Sequence, residues 1–229
     1  MLTLFHNPMS AGSRSVRLML GEFGLDVQLI NENVWERREE FLSMNPAGTV
    51  PVLQDDGHVV IGSWVICEYL DETQGALQRE RRLFPEDAAG RAEMRRIMDW
   101  CLTKFETEVT RYAVHERVTK RLMPANMGGG APDSQALRAV RANIGYHLKY
   151  LGWLASTRNW LAGDSLTQAD LTAAATLSVL DYLGEIDWSE SEPLKDWYVR
   201  VKSRPSFRPL LADRIRGMPP VSHYVDLDF

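Results

Sequence analysis

Pro51 constrains the first third of the chain more than any other residue. It lies inside the short apolar run at residues 50–53. Proline has no N–H to donate to a β-ladder, so it is expected at the start of a strand or on a sheet edge. Asp56-Gly57 separates this run from a second one at residues 59–61, and Asp-Gly between two apolar runs is the strongest short signal of a β-hairpin. We therefore predict two short strands, at residues 50–53 and 59–61, joined by a tight turn.

The segments around this hairpin complete a small α/β domain over residues 1–76. They are predicted as strands at residues 2–5 and 27–30, and as helices at residues 13–23, 36–44 and 63–73. The last helix should end at Gly75 and face inward with Val65, Ile66, Tyr69 and Leu70. The order β-α-β-α-β-β-α predicts a four-stranded mixed sheet with helices on its faces.

The rest of the chain is predicted to be helical. Residues 77–86 form a charged linker, residues 87–212 an all-α domain, and residues 213–229 a tail whose prolines prevent a regular helix. Apolar side chains recur every three or four residues from Met94 to Val109, which is typical of a long amphipathic helix. A second long helix is predicted at residues 133–157. The fold class is therefore α/β followed by an all-α helical bundle.

Thr167 and Asp170 have the spacing of an N-terminal capping box, with Asp in the position that Glu usually takes. Leu166 and Leu171 stand at the positions of a hydrophobic staple. A structural cap is predicted, whose loss at Asp170 should destabilise the fold by roughly 0.5–2 kcal/mol.

Composition excludes several classes of function. The 229 residues carry a net charge of −5, whereas a nucleic-acid partner requires a dense basic face. No apolar run approaches the roughly 18 residues that span a bilayer, and the start has no secretory signal pattern. Cys67 and Cys101 fall on apolar helix faces and are predicted to be buried free thiols, as in a reducing compartment. We expect a cytoplasmic protein without membrane insertion, nucleic-acid partner or metal.

Two features predict a pocket in the first domain. A cis Val50-Pro51 bond would turn the N–H and C=O of Val50 outward, where they could pair with a bound peptide. A trans bond would only place the proline at the start of an edge strand. The sequence does not decide between the two isomers. Ser63 follows Gly62 at the start of a helix. That helix end favours a carboxylate ligand, although a plain N-cap explains the same residue.

The sequence at residues 46–53, with Gly62-Ser63 and Glu68-Tyr69-Leu70, resembles the thioredoxin-like N-terminal domain of the glutathione transferase superfamily. The Gly163–Leu171 segment and the aromatic and proline pattern at residues 197–207 resemble its helical domain. The resemblance implies that Pro51 is cis, that Val50 pairs with the cysteinyl part of glutathione, and that Ser63 holds the γ-glutamyl carboxylate.

Two details weaken the implied glutathione chemistry. The family commonly has Glu or Gln before the helix serine, where this chain has Gly62, so a polar partner of the ligand is missing and glutathione is not expected as a cofactor. The resemblance places Ser10 nearest the family's thiol-activating position, at a helix start that favours a thiolate. The alternative is that Ser10 or Ser13 is only a helix cap, since the loop around them is rich in turn residues.

The end of the tail has an alternating pattern. Val225, Leu227 and Phe229 alternate with Asp226 and Asp228, the period of an extended segment with one apolar face. Such a segment either folds back over a groove of its own protein or presents an apolar, acidic strip to a partner. The residues alone leave both open.

Several segments together resemble one subgroup, the glutathione-transferase-like division proteins of alphaproteobacteria that bind the tubulin-like protein FtsZ: residues 35–41, 127–132, 158–163, 202–209 and 226–229. The resemblance implies a non-enzymatic homodimer at the division site that binds FtsZ polymers, curving or bundling them to support constriction. Asp226, Leu227, Asp228 and Phe229 would form part of the contact. The competing hypothesis is a glutathione transferase acting on electrophilic small molecules, with Ser10 as thiol activator.

Overall fold

The computed structural model describes residues 1–78 and 81–227. Asp228 and Phe229, two of the predicted partner residues, therefore lie outside the described residues. The N-terminal domain contains β1 (Leu2–His6), α1 (Ala11–Glu22), β2 (Val27–Asn31), α2 (Glu39–Met44), β3 (Val52–Asp55), β4 (His58–Ile61) and α3 (Ser63–Leu70). This order confirms the thioredoxin-like domain predicted from the sequence.

The sheet is four-stranded and mixed, in the order β2-β1-β3-β4. The central strand β1 pairs in parallel with β2 and antiparallel with β3, and β3 forms the predicted hairpin with β4. The Val50-Pro51 bond is cis. The prediction that the strand begins at Val50 is wrong by two residues, because the ladder starts at Val52, after the proline that cannot donate to it.

Helix α3 differs from its prediction in two ways. Val65 is exposed, and Cys67 takes the buried position with Ile66 and Leu70. The helical turns also continue past Gly75 to Gln78. Gly75 is required for packing instead, since a Cβ at this position would lie 2.4 Å from Oδ1 of Asp71.

Over the described residues from 81 onward, the C-terminal domain has five main helices. They are α4 (Ala88–Asp99, continued by the helical segments Trp100–Thr110, Arg111–Val114, His115–Thr119 and Lys120–Leu122), α5 (Ser134–Thr157), α6 (Gln168–Tyr182), α7 (Glu192–Lys202) and α8 (Arg208–Ala212). The two long predicted helices are confirmed. No helix among residues 1–78 and 81–227 has the length and hydropathy to cross a membrane.

Helix α6 is buried along its whole length and packs between the other helices and α1. Polar contacts join it to the first domain: the Ser15 and Thr172 hydroxyls are 2.8 Å apart, and Nε2 of Gln168 donates to Ser15 Oγ at 3.0 Å. The two domains thus share one continuous core. Because the core runs through both domains without a break, the structure does not test the predicted domain boundaries, which stay predictions.

The capping box at the start of α6 is present as predicted. Asp170 is fully buried, and its carboxylate accepts hydrogen bonds from the backbone N–H and hydroxyl of Thr167 at 3.0 and 3.1 Å. It also accepts from the Leu161 N–H at 2.8 Å and the Trp197 indole at 3.0 Å. The side chain therefore holds together the loop before α6, α6 itself and α7.

The tail folds back on the body as far as Tyr224. Asp213 forms two hydrogen bonds with the guanidinium of Arg17, at 2.7 and 3.0 Å, and Tyr182 donates to the Met218 carbonyl at 2.7 Å. The extended form predicted from Val225 onward is wrong at Val225, the last residue of a 3-10 turn over Ser222–Val225, whereas Asp226 has extended backbone. The turn lets Tyr224 point inward, where its side chain is completely buried.

Candidate functional site

A cleft of about 840 Å³ lies between the two domains. The loop between β1 and α1 and the segment after β2 form one side, and the second half of α4 forms the other. The tail supplies a third wall through Arg214, Ile215 and Arg216. Most of the lining is apolar, including Met9, Val118, Leu122, Met123 and Met127. Cavities of this size and character commonly bind small molecules.

The predicted glutathione-pocket residues are only partly brought together. Ser10 and Val50 both line the cleft, but Ser63 does not. Ser63 lies against α1, where a Cβ built on Gly12 would be 3.1 Å from its Oγ. Gly62 has a φ of 88°, a conformation that disfavours the Glu or Gln that the family carries at this place.

Ser10 acts as the N-cap of α1. Its side chain accepts a hydrogen bond from the Ser13 N–H at 3.2 Å, and its own N–H donates to the Asn7 carbonyl at 3.0 Å. The capping interpretation of this serine is therefore the one that the local geometry satisfies. Ser10 is nevertheless among the residues that line the cleft.

Glu106 on α4 is a cleft residue that sequence reasoning missed. Its Oε2 is buried without a hydrogen-bond partner among the described residues. Burial raises the pKa of Glu106 to about 7, and the nearby Arg111 only partly opposes that shift. The one signal in the sequence was a carboxylate directly after Phe105, a residue of the apolar stripe.

We expect Glu106→Gln to stabilise the protein increasingly as pH rises. The unfolded carboxyl ionises near 4.5 and the folded one near 7, so wild-type stability falls across this interval and the loss is complete above it. The stability difference between variant and wild type should grow by roughly 2 kcal/mol between about pH 5 and about pH 8.5. Urea unfolding at each pH measures it. Exposed Glu36→Gln is the matched control, and a difference that stays constant with pH would contradict the assignment.

Arg14 connects the cleft to the tail. This fully buried side chain donates to the Pro8 carbonyl at 2.6 Å, to Ser178 Oγ at 2.7 Å and to the Tyr224 hydroxyl at 3.0 Å. Tyr224 in turn donates to the Leu210 carbonyl at 3.2 Å. The loop that carries Ser10 and the anchor of the tail are therefore held by one guanidinium.

The described residues after Tyr224 are exposed: they are Val225, Asp226 and Leu227, which we call the tail tip. Val225 and Leu227 are 44% and 41% exposed, and the Asp226 carboxylate is also at the surface. Asp226 contributes to the field at buried Lys202, whose pKa is lowered by burial and raised back in part by Asp181 and Asp226. The tail tip lies apart from the residues that line the cleft.

Four aromatic residues form a second exposed surface, which we call the aromatic face: Trp100, Tyr146, Tyr150 and Trp153. Tyr146 and Trp153 are 57% and 55% exposed. The rings of Trp100 and Tyr150 are 4.2 Å apart, and Lys104 Nζ lies 5.7 Å from the Trp100 ring centre. An aromatic surface of this kind on α4 and α5 is typical of a protein contact.

The two cysteines are buried and free, as predicted. Burial raises the pKa of Cys67 to about 12 and also raises that of Cys101, so neither supplies a thiolate near neutral pH. Within residues 1–78 and 81–227, no group of His, Cys, Asp and Glu side chains has the proximity needed to hold a metal.

Comparisons with known proteins agree on both domains. Residues 4–80 match the family described as "Glutathione S-transferase, N-terminal domain", and residues 93–205 match "Glutathione S-transferase, C-terminal domain". FtsZ-localized protein A of Caulobacter vibrioides (strain NA1000 / CB15N) is 44% identical over 231 residues, which cover 99% of this chain and 98% of that protein.

Solved structures give the same result. A glutathione S-transferase from Sinorhizobium meliloti 1021 has a TM-score of 0.99 with 57% identity and covers 100% of both chains. FzlA from C. crescentus has a TM-score of 0.91 with 44% identity, covering 100% of this chain and 99% of that one. This chain therefore belongs to the glutathione S-transferase family through both of its domains.

Proposed function

We propose that this protein is a non-enzymatic cell-division protein that binds FtsZ polymers at the division site, curving or bundling them. The observation that carries the proposal is the 44% identity to FtsZ-localized protein A, which extends over 99% of the chain. That similarity therefore includes the tail, although the family match to the helical domain ends at residue 205.

The tail tip is the proposed contact. It presents the apolar side chains of Val225 and Leu227 on either side of the Asp226 carboxylate. Anchoring by buried Tyr224 lowers the conformational entropy that these residues lose on binding, so a small surface can contribute useful affinity.

We also propose that the protein acts as a homodimer through the aromatic face. Tyr146 and Trp153 expose more than half of their surface, and burial against a second copy would remove it from water. A two-fold dimer presents two tail tips, and two linked contacts on one filament, or on neighbouring filaments, bind more tightly than one. Filament bundling or bending requires this kind of bivalency.

The absence of transferase activity is part of the proposal. Ser10 is engaged as a helix cap, Ser63 lies outside the cleft lining, and Gly62 provides no side chain for the polar end of glutathione. A charged ligand without polar partners loses more hydration energy than it regains. These features weaken the site on which the competing hypothesis depends.

Asp226→Lys is expected to weaken co-sedimentation with polymerised FtsZ by about tenfold in apparent affinity, since it reverses a charge in the proposed contact. Melting temperature and dimer mass should stay at the wild-type values. Asp226→Asn, which removes the charge without placing a second cation near Lys202, should give a weaker loss of the same sign.

Asp26→Lys makes the same charge change at an exposed residue of the first domain and should leave sedimentation unaltered. Wild-type sedimentation by Asp226→Lys would contradict the proposed contact, and a large fall in its melting temperature would show a structural role instead. Calorimetry with glutathione completes the test, because tight stoichiometric binding would favour the enzyme hypothesis.

A further inference from the structure

A basic surface lies where the end of α4 meets the start of α5. Five cationic side chains form this surface, which we call the basic patch: Arg117, Lys120, Arg121, Arg138 and Arg141. They outnumber by two the carboxylates among them, which belong to Glu116, Asp133 and Glu185. The protein as a whole has a net charge of −5, so the positive sign of the patch is local.

A buried carboxylate holds two of these arginines beside each other. Nε of Arg117 donates to Oε1 of Glu185 at 2.7 Å, and Nε of Arg141 lies 3.6 Å from Oε2 of the same glutamate. Only 3% of the Glu185 side chain is exposed, against 62% of the Arg141 side chain. The negative charge therefore lies beneath the surface, whereas the guanidinium of Arg141 lies at it.

Glu116 has the same role at the end of α4. Its Oε2 accepts hydrogen bonds from Nζ of Lys120 and from the backbone N–H of Asp133, both at 2.6 Å, and so joins α4 to the start of α5. The Asp133 carboxylate caps α5. Arg121 and Arg138 are exposed, and neither forms an ion pair within the part of the chain that the structure describes. No carboxylate of this part neutralises them.

The surroundings of the basic patch limit what can bind it. Arg141 lines a groove of about 550 Å³ together with Asp187 and His223. Asp187 is exposed, and exposed Glu190 and Glu192 follow it closely in the chain. A nucleic-acid duplex or a membrane surface extends beyond the patch and would meet these carboxylates as well. A short acidic segment can lie across the cationic side chains alone.

We propose that the basic patch binds an acidic, extended polypeptide segment of a partner protein, whose carboxylates contact Arg138 and Arg141. Four of the five cations are arginines, whose planar guanidinium matches a carboxylate through two parallel hydrogen bonds. Strongly acidic segments stay extended because they bury little apolar surface. The proposal goes beyond the tail-tip contact, since it names a second surface with the opposite charge.

Fluorescence anisotropy with a labelled decapeptide of alternating Glu and Gly tests the proposal. The matched decapeptide of alternating Gln and Gly should bind at least about tenfold more weakly, because it lacks the carboxylates. Raising the NaCl concentration from about 50 to about 500 mM should weaken binding of the acidic peptide about tenfold, since the patch is at the surface.

The double variant Arg138→Gln/Arg141→Gln should lose about tenfold in affinity for the acidic peptide. It should keep the wild-type melting temperature, because Arg117 still pairs with Glu185 and Arg138 contacts only the Ser134 hydroxyl, at 3.4 Å. Arg121→Gln is a second variant, at an exposed residue, and should lose about threefold.

Arg37→Gln/Arg208→Gln removes two exposed arginines outside the patch and is the matched control. Both double variants change the net charge from −5 to −7, so a difference between them reports the position of the charge. Equal binding of the two peptides, or equal losses in the two double variants, would overturn the proposal. Binding to phosphatidylglycerol vesicles that requires Arg138 and Arg141, without binding of the acidic peptide, would overturn it as well. No FtsZ enters these measurements, so their outcome is independent of the tail-tip test.

Discussion

Replacing Asp170 with alanine is expected to lower the free energy of unfolding by about 3–5 kcal/mol, because it leaves several buried N–H groups without an acceptor. The backbone N–H groups of Leu161 and Thr167 and the Trp197 indole all donate to this carboxylate. From the sequence alone, the expected destabilisation was only that of losing a helix cap. The structure shows a buried junction of three segments, which is why the expected loss is larger.

Chemical denaturation followed by circular dichroism measures this loss. Asp164→Ala, an exposed aspartate in the same loop, is the control and should change stability by less than about 0.5 kcal/mol. Thr167→Ala removes only the capping hydroxyl and should cost about 1 kcal/mol. A loss below that of Thr167→Ala in the Asp170 variant would show that the three donors find other acceptors.

Replacing Tyr224 with alanine is the second large effect, with an expected loss of about 3–5 kcal/mol for a fully buried aromatic ring. The ring lies 5.1 Å from that of Tyr182, and its hydroxyl bonds Arg14 and the Leu210 carbonyl. Without it, buried Arg14 loses one acceptor and the tail loses its main apolar anchor. We expect the tail to become protease-sensitive as well.

Two neighbouring changes separate the contributions. Tyr224→Phe keeps the ring but removes the hydroxyl, and should cost about 1–2 kcal/mol. Val225→Ala alters an exposed side chain and should cost less than about 0.5 kcal/mol. Limited proteolysis followed by mass spectrometry locates the cleavage. A Tyr224→Ala variant as stable and protease-resistant as wild type would contradict the anchoring role.

Sequence patterns predicted those elements of the fold that depend on residues close together in the chain. The Asp56-Gly57 turn and the Thr167–Asp170 spacing each have their physical effect within four residues, and both predictions are confirmed. The strand at Pro51 is confirmed in kind, but it begins at Val52 and not at Val50. The helix end predicted at Gly75 was wrong because a glycine can also be required where another residue packs closely against it, as Asp71 does here.

The candidate site was less predictable because its walls come from distant parts of the chain. Ser10 and Val50, which the family resemblance singled out, line the cleft, and the roles that the resemblance implies for them stay predictions. Arg214 and Arg216 were missed, since their position depends on the Arg17–Asp213 ion pair across 196 residues. Such a long-range contact leaves no periodic pattern in the sequence. The burial of Tyr224 also depends on long-range contacts, and the alternating pattern that follows it predicted an extended segment instead.

The bond between Arg14 and Tyr224 joins residues 210 positions apart. During synthesis Arg14 leaves the ribosome 210 residues before Tyr224 does. Contacts of such separation form late, after the intervening chain has folded. A nascent chain that has not yet reached Tyr224 lacks one of the three oxygen acceptors that hold Arg14, and the tail tip takes its anchored position only after Tyr224 has packed.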